Sequence, residues 1–244
     1  MITLNPALDA PALAAAFAAK GRIQIRDVLV EADARRVQAM LRATPWSLAF
    51  NEGEKVHRLS PDDQRRLSPG QAQQMMADIQ QRARGQFQFL YEYDPIFVRY
   101  FTPAHPPMPV FEVYEFLNSP AMLDLFRTVT GHPDIRWADA QATLFRPGHF
   151  LKRHDDINHR ERRVAAFVLN FSESWQPGWG GYLQFYTPDG DVEEALKPLF
   201  NAVNLFAVPA DHDVAMVSSF APAERLSITG WLRADAPPGP IPRR

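Results

Sequence analysis

The sequence predicts a mainly β fold with flanking helices (α+β), in which an antiparallel double sheet of the jelly-roll kind follows an N-terminal helical support. Three observations carry that expectation. From about Ile135 onward, roughly eight short runs with strand-like alternation recur, bounded by Pro, Gly, Asn and Asp. No helical period of any length interrupts them. The residues before them read mainly as helices joined by polar loops.

In chain order, the first helix spans 9–20, an Ala-rich run with Asp9 as N-cap and Lys20 at its end. A second covers 31–43. Residues 45–61 hold Trp46 and Phe50 but little periodicity, which predicts a loop or short strand. A third helix, 68–85, begins at Ser68-Pro69 and is rich in Gln, Ala and Met. Phe87, Phe89, Tyr91 and Tyr93 then alternate with Gln86, Gln88, Leu90 and Glu92 in strand fashion, a stripe that most often packs in a core. A helix over 119–130 opens on Ser119-Pro120 and stops at Gly131. The predicted strands are 135–145, 149–156, 163–171, 182–187, 192–198, 202–208, 213–218 and 225–232. A single domain over 1–244 follows, divided into a helical region over 1–133, a β core over 134–233 and an irregular Pro-rich tail over 234–244.

Composition narrows the chemistry. With 46% hydrophobic and 22% charged residues over 244 positions, the chain can bury a full core, and a net charge of −2 gives no global reason to bind nucleic acid or an anionic membrane. Cysteine is absent, which excludes disulfides, thiolate nucleophiles and Cys-ligated zinc or iron–sulfur sites. Any metal must sit on His, Asp or Glu. No uncharged stretch reaches membrane-spanning length and the Ala-rich run lacks a basic leader, so a cytoplasmic location is expected, with neither membrane nor direct nucleic-acid binding.

His154-Asp155-Asp156 is the first informative triplet. In an extended segment residues two apart share a face, so His154 and Asp156 can reach one ion while Asp155 points away. A third ligand is available at His212, which opens the seventh strand after Pro209-Ala210-Asp211. Two imidazoles and a carboxylate on one face of an octahedron leave three open positions, the arrangement of non-haem Fe(II) oxygenases; two suit 2-oxoglutarate and one dioxygen. Arg225-Leu226-Ser227-Ile228-Thr229 adds an arginine on the last strand, with Ser227 and Thr229 on its face and Leu226 and Ile228 on the other. Buried there, Arg225 needs an anion, and the distal carboxylate of 2-oxoglutarate fits, assisted by the Ser227 hydroxyl. Taken singly, His212 is equally a surface histidine, and Glu224 or Asp213 could partner Arg225. The order His-x-Asp, strands, His, then Arg-x-Ser is far more restrictive than any one of its elements.

These residues resemble the prolyl hydroxylase branch of the Fe(II)/2-oxoglutarate oxygenases, and in particular the ribosomal-protein prolyl hydroxylases. The matching text is Arg146-Pro147-Gly148, His154-Asp155-Asp156, Arg163 leading into Ala166-Phe167-Val168-Leu169, Gly180-Gly181-Tyr182-Leu183-Gln184-Phe185-Tyr186, His212 with Val214 and Val217, and Arg225 to Trp231. The resemblance covers the catalytic domain only; the relatives carry a further degenerate barrel. It implies a double-stranded β-helix, Fe(II) on His154, Asp156 and His212, and a dioxygenase that decarboxylates 2-oxoglutarate while hydroxylating an unactivated C–H bond. It also implies ascorbate as reductant and a prolyl residue of a ribosomal or translation-associated protein as substrate. Two departures stand out. The family tyrosine that helps hold the co-substrate, nine residues before the first histidine, is Phe145 here, which has no hydrogen to donate. A second family tyrosine, near the end of the third strand, aligns with Asn170, which can donate and is therefore a candidate co-substrate contact with Arg225 and Ser227.

Other features have two readings. Trp175 and Trp179 flank the Gly180-Gly181 turn as a cleft wall or as packing. Tyr91 and Tyr93 are suited to stacking on a proline ring if they line the barrel mouth. Arg160, Arg162 and Arg163 form a solvated tip or a steering patch. The same iron chemistry on a free amino acid or small metabolite is an alternative, requiring a closed pocket with a second charged anchor instead of an open groove. A non-catalytic jelly-roll binding module is another, and predicts loss of at least one ligand position.

Overall fold

The computed structural model describes residues 1–241, so positions 242–244 of the expected tail lie outside the described residues. The elements run α1 (Ala10–Lys20), β1 (Arg22–Ile25), α2 (Glu31–Arg42), β2 (Ser47–Glu52), β3 (Lys55–Leu59), α3 (Pro61–Arg66), α4 (Pro69–Ala83), β4 (Phe89–Asp94), α5 (Ile96–Tyr100), α6 (Phe111–Leu117), α7 (Pro120–Thr130), β5 (Trp137–Ala138), β6 (Gln141–Phe145), β7 (Phe150–His154), β8 (Arg163–Asn170), β9 (Leu183–Tyr186), β10 (Val192–Leu196), β11 (Ala202–Ala207), β12 (His212–Val214) and β13 (Arg225–Arg233).

The strands form one antiparallel sheet in the order β1-β11-β8-β13-β6-β4-β7-β12-β9-β10, with the β2–β3 hairpin on β4 and β5 on β13. It curls into a nearly closed barrel, the jelly roll that the alternation predicts. Period-2 patterning gives the central strands two different faces. Leu144, Phe167, Leu169, Val203, Leu205, Leu226 and Ile228 point outward and pack with Val37, Leu41, Tyr114 and Phe126 of the helices in the main core. The opposite face carries buried Thr143, Asn170, Asn204, Arg225 and Ser227. An apolar outer face anchors the sheet to the helices, and the polar groups are left for the interior.

The helices start and stop where their caps predict. Asp9 accepts from the Ala12 N–H, Ser68 from Gln71 and Ser119 from Met122, while Gly21 and Gly131 close α1 and α7 in the left-handed region. Among the described residues all seven helices lie within 1–133, and this region also contributes β1 to β4 to the sheet. Residues 45–61 are a hairpin whose two-residue turn, Gly53-Glu54, starts with Gly53 at φ +59°, the glycine-first signal of a tight hairpin. Within the stripe of aromatics, β4 pairs with both β6 and β7 inside the barrel. Helices α3, α5 and α6, of 6, 5 and 7 residues, are too short to produce a readable period. The expected strand 135–145 is interrupted between β5 and β6, and 213–218 shrinks to three residues that begin at His212.

Gly180 and Gly181 both sit at φ +67° before β9. A Cβ on Gly180 would fall 1.9 Å from the Met216 carbonyl oxygen, so both the backbone angle and the contact demand glycine. Gly180→Ala should therefore destabilise the fold by about 2–3 kcal/mol in denaturant unfolding. A loss under about 0.5 kcal/mol would mean that the turn rearranges freely.

Candidate metal centre

His154 ends β7 and His212 begins β12, and the two residues are direct partners across this antiparallel pair. Cross-strand partners project to the same side, so a separation of 58 positions in the chain does not keep the imidazoles apart, and their centroids lie 4.2 Å from each other. Each ring is oriented by its own chain: His154 Nδ1 lies 2.9 Å from the Lys152 carbonyl and His212 Nδ1 2.7 Å from that of Ala210. A carbonyl only accepts, so Nδ1 carries the proton in both and Nε2 is the free lone pair, as metal-ligating histidines require.

Asp156 completes the group, though not by the route the alternation predicts. The strand stops at His154, and Asp156 has φ +62°, a left-handed conformation that aspartate tolerates better than most residues. That turn swings its carboxylate to 3.2 Å from His154 Nε2 and 3.5 Å from His212 Nε2. One ligand atom from each residue lies within 4.8 Å of the others. Donors about 2.1 Å from a shared ion and at right angles stand about 3 Å apart, so the spacing fits an octahedral face. Asp155 is exposed, accepts the Ile157 N–H at 3.0 Å and is not one of the three clustered ligands.

The electrostatics of the three groups are coupled. Burial alone would lower the His154 imidazole, but the hydrogen bond and charge of Asp156 outweigh it and hold His154 above its ordinary value. His212 is pushed down to about 4 by burial and then by the nearby His154 charge. Burial would raise Asp156, yet His154 and His212 keep it below the usual carboxylate range, helped by the Trp231 indole N–H that faces it. In the metal-free trio Asp156 favours the carboxylate and His212 the neutral ring, while the Asp156 charge makes His154 the easier ring to protonate, so a cation and a proton compete there.

Arg163 supports the turn. Its Nη1–H donates to the Asp156 carbonyl at 3.1 Å, its Nε–H to Glu161 at 2.8 Å, and its guanidinium lies 3.5 Å from the Trp231 ring centroid. Of the basic cluster, Arg162 pairs with Asp134 at the surface, while Arg163 faces the cavity.

A cavity of about 360 Å³ runs from this group into the barrel. Arg225 lines it, is 1% exposed, and among the described residues has no carboxylate beside it. Burial lowers it to about 10, its Nε–H lacks a partner, and its nearest polar contact is the Ser227 hydroxyl at 3.4 Å. The partners open in the sequence are engaged elsewhere: Glu224 takes Arg146 and Asp213 accepts the Tyr186 hydroxyl at 2.5 Å. A buried, uncompensated guanidinium at the side of a cavity is a fitting seat for a carboxylate. Ser227, also buried, shares a hydrogen bond with Thr143 at 2.8 Å and reaches the cavity only through Arg225. Asn170 shares the face of Ala166 and Val168, but only those two line the cavity wall. Its Nδ2 donates to the Val168 and Ala202 carbonyls, and the atom left unpaired is its Oδ1, an acceptor that cannot bond a carboxylate.

Phe87, Phe89 and Tyr91 line the cavity, whereas Tyr93 lies outside it beneath Arg58. Trp175 donates to the Gly180 carbonyl and packs with Phe145, Val214 and Val217, with Trp179 against it, so these two indoles are packing residues. The sequence pattern contained one unused signal: carrying the alternation of Arg225, Ser227 and Thr229 one step further reaches Trp231, which lines the cavity over Asp156.

Residues 140–233 match the family model of the 2OG-Fe(II) oxygenase superfamily. That stretch contains all three candidate ligands and Arg225, and the resemblance read from the sequence stands at this level. The fold is similar to that of a Pseudomonas putida prolyl-4-hydroxylase (21% identity, 93% of this chain and 100% of that one, TM-score 0.58). It is also similar to a 2OG-Fe(II) oxygenase family oxidoreductase from Burkholderia pseudomallei (12% identity, 99% and 97%, TM-score 0.62). A third similar structure is a Trichoplax adhaerens prolyl hydroxylase in complex with a hypoxia inducible factor oxygen degradation domain peptide fragment (16% identity, 92% and 89%, TM-score 0.58). No curated protein matches the sequence. At these identities the structures establish the fold. Among the described residues, no helix is long and apolar enough to cross a membrane.

Because Arg163 braces the Asp156 turn, Arg163→Ala should weaken Mn(II) binding about 10–100-fold in a calorimetric titration. Unchanged affinity would show that the turn holds itself.

Proposed function

We propose that this chain is an Fe(II)- and 2-oxoglutarate-dependent dioxygenase that hydroxylates an unactivated C–H bond, with a prolyl residue of a protein as its substrate. The observation that carries the reading is the coexistence, in one cavity, of a His-Asp-His group spaced for one ion and a buried arginine with no countercharge. Bound there, Fe(II) would supply oxygen activation coupled to the conversion of 2-oxoglutarate to succinate and carbon dioxide, with ascorbate as an external reductant. His154, Asp156 and His212 would hold the metal on one face and leave the opposite one open. Arg225, kept in place by Ser227 and the Phe145 ring 5.0 Å away, would take the distal carboxylate and so set the direction in which the co-substrate lies. Leu151, Leu183, Phe206 and Val214 would keep water from the space between.

The rest of the cavity supports a neutral segment over a free amino acid. Once these four residues are assigned, the charged side chains lining it are Asp155 and Arg163, both already engaged with protein groups. The rim instead offers Phe87 and Ile157, 47% and 48% exposed. Apolar side chains at a cavity mouth suit the ring of a prolyl residue whose amine and carboxyl are tied up in peptide bonds. The ribosomal or translation-associated identity of such a protein rests on the sequence resemblance alone. No ligand position has been lost, which speaks against a binding module without catalysis.

Three outcomes test this. Anaerobic addition of Fe(II) and 2-oxoglutarate should produce a weak visible charge-transfer band that Asp156→Ala abolishes; no band in the native protein would end the proposal. Arg225→Met should weaken 2-oxoglutarate binding about a hundredfold or more, yet raise stability by about 1–4 kcal/mol, because a buried unpaired charge becomes an apolar chain of similar volume. Mass spectrometry of host proteins with and without active enzyme should reveal a gain of one oxygen on a proline. Turnover confined to free amino acids would transfer the function to metabolite hydroxylation.

A further inference from the structure

The cavity wall is largely apolar; among its polar side chains the Thr143 hydroxyl is shared with Ser227 and Arg163 braces Asp156, while the Trp231 indole N–H lies toward the same carboxylate without a hydrogen bond. Tyr91 is set apart by its place in the sheet. It sits on β4 next to Phe145 of β6, which is itself the register partner of Arg225 on β13, so the three side chains form a row across adjacent strands on the interior face. The Tyr91 ring stacks on Phe145 at 5.2 Å and 23°, and the Arg225 guanidinium lies 5.0 Å from the same Phe145 ring. The stack fixes the phenol in direction and leaves its hydroxyl on the cavity side, where Gln141 and the Asp156 charge act on it.

Gln141, on the same stretch of wall, opposes the effect of burial by favouring the charged phenol. Burial pushes the phenol up to about 12, so it stays protonated at any working pH. Phe145, between Tyr91 and Arg225, cannot donate. A dicarboxylate lying along this row would meet a guanidinium at one end, an aromatic face in the middle and a phenol hydroxyl at the other.

Given the function proposed above, we infer that Tyr91 is a co-substrate-binding residue, its hydroxyl donating to an oxygen of 2-oxoglutarate at the end away from Arg225. This donor comes from the N-terminal half of the chain, outside the matched residues 140–233. The test uses Mn(II)-loaded protein, with 2-oxoglutarate affinity read from quenching of tryptophan fluorescence, since Trp231 lines the same cavity. Tyr91→Phe removes the hydroxyl and keeps the stack. The expected result is about tenfold weaker 2-oxoglutarate binding, as befits one charge-assisted hydrogen bond, with Mn(II) affinity and melting temperature unchanged and Tyr93→Phe indistinguishable from the native protein. Binding within twofold of native, an equal effect of Tyr93→Phe, or a parallel loss of Mn(II) affinity and stability would each overturn the inference while leaving the oxygenase reading intact. Native protein that binds Mn(II) but not 2-oxoglutarate would overturn both.

Discussion

A guanidinium buried to 1% exposure, with no carboxylate beside it among the described residues, is the constraint around which the barrel interior is arranged. Solvating such a charge inside a protein costs several kcal/mol unless dipoles or a ligand compensate. Here the compensation is partial: a Ser227 hydroxyl at 3.4 Å, the π face of Phe145, and no partner for Nε. The fold tolerates this because the other face of the same strand is fully apolar. Leu226 and Ile228 lock β13 into the main core against the helices, so the strand cannot rotate to bring Arg225 to water. Stability resides on one side of β13 and binding capacity on the other.

The metal-binding end is held by a different device. His154 and His212 are presented by hydrogen-bonded strands, a rigid pairing, while Asp156 lies just past the end of β7 in a left-handed conformation. Two fixed ligands and one adjustable one would let the site close on an ion without shifting the sheet. Arg163 couples the adjustable ligand to the substrate side, since the guanidinium that holds the Asp156 carbonyl also covers the Trp231 ring in the cavity wall.

The features of this arrangement set by short-range periodicity were legible in the sequence. Alternation placed Arg225 and Ser227 opposite Leu226 and Ile228, and caps at Asp9, Ser68 and Ser119 gave helix starts to within a residue. The features set by tertiary pairing were not. Nothing local says that β4, separated from β6 by three helices, belongs between β6 and β7. Asp156 was expected to reach the ion by strand geometry, and the left-handed turn that does so leaves no mark in the pattern. Asn170 shows the same limit from the other side: its alternation phase is that of the cavity-lining Ala166 and Val168, but its depth, which decides that its amide serves two carbonyls, depends on where the barrel closes.

Depth also explains why the site lies where it does. The apolar outer face of the sheet is covered by the main helical core, so the barrel can open only at an end, and the left-handed Asp156 turn sits beside that opening with Phe87 and Ile157 at its rim. A ligand entering there meets the metal-binding group before it reaches Arg225. On the proposed function a dicarboxylate would pass the ion position to seat its far end on Arg225, while a larger substrate would stop at the rim against Phe87 and Ile157, where it would close the route by which water reaches Arg225 from that end.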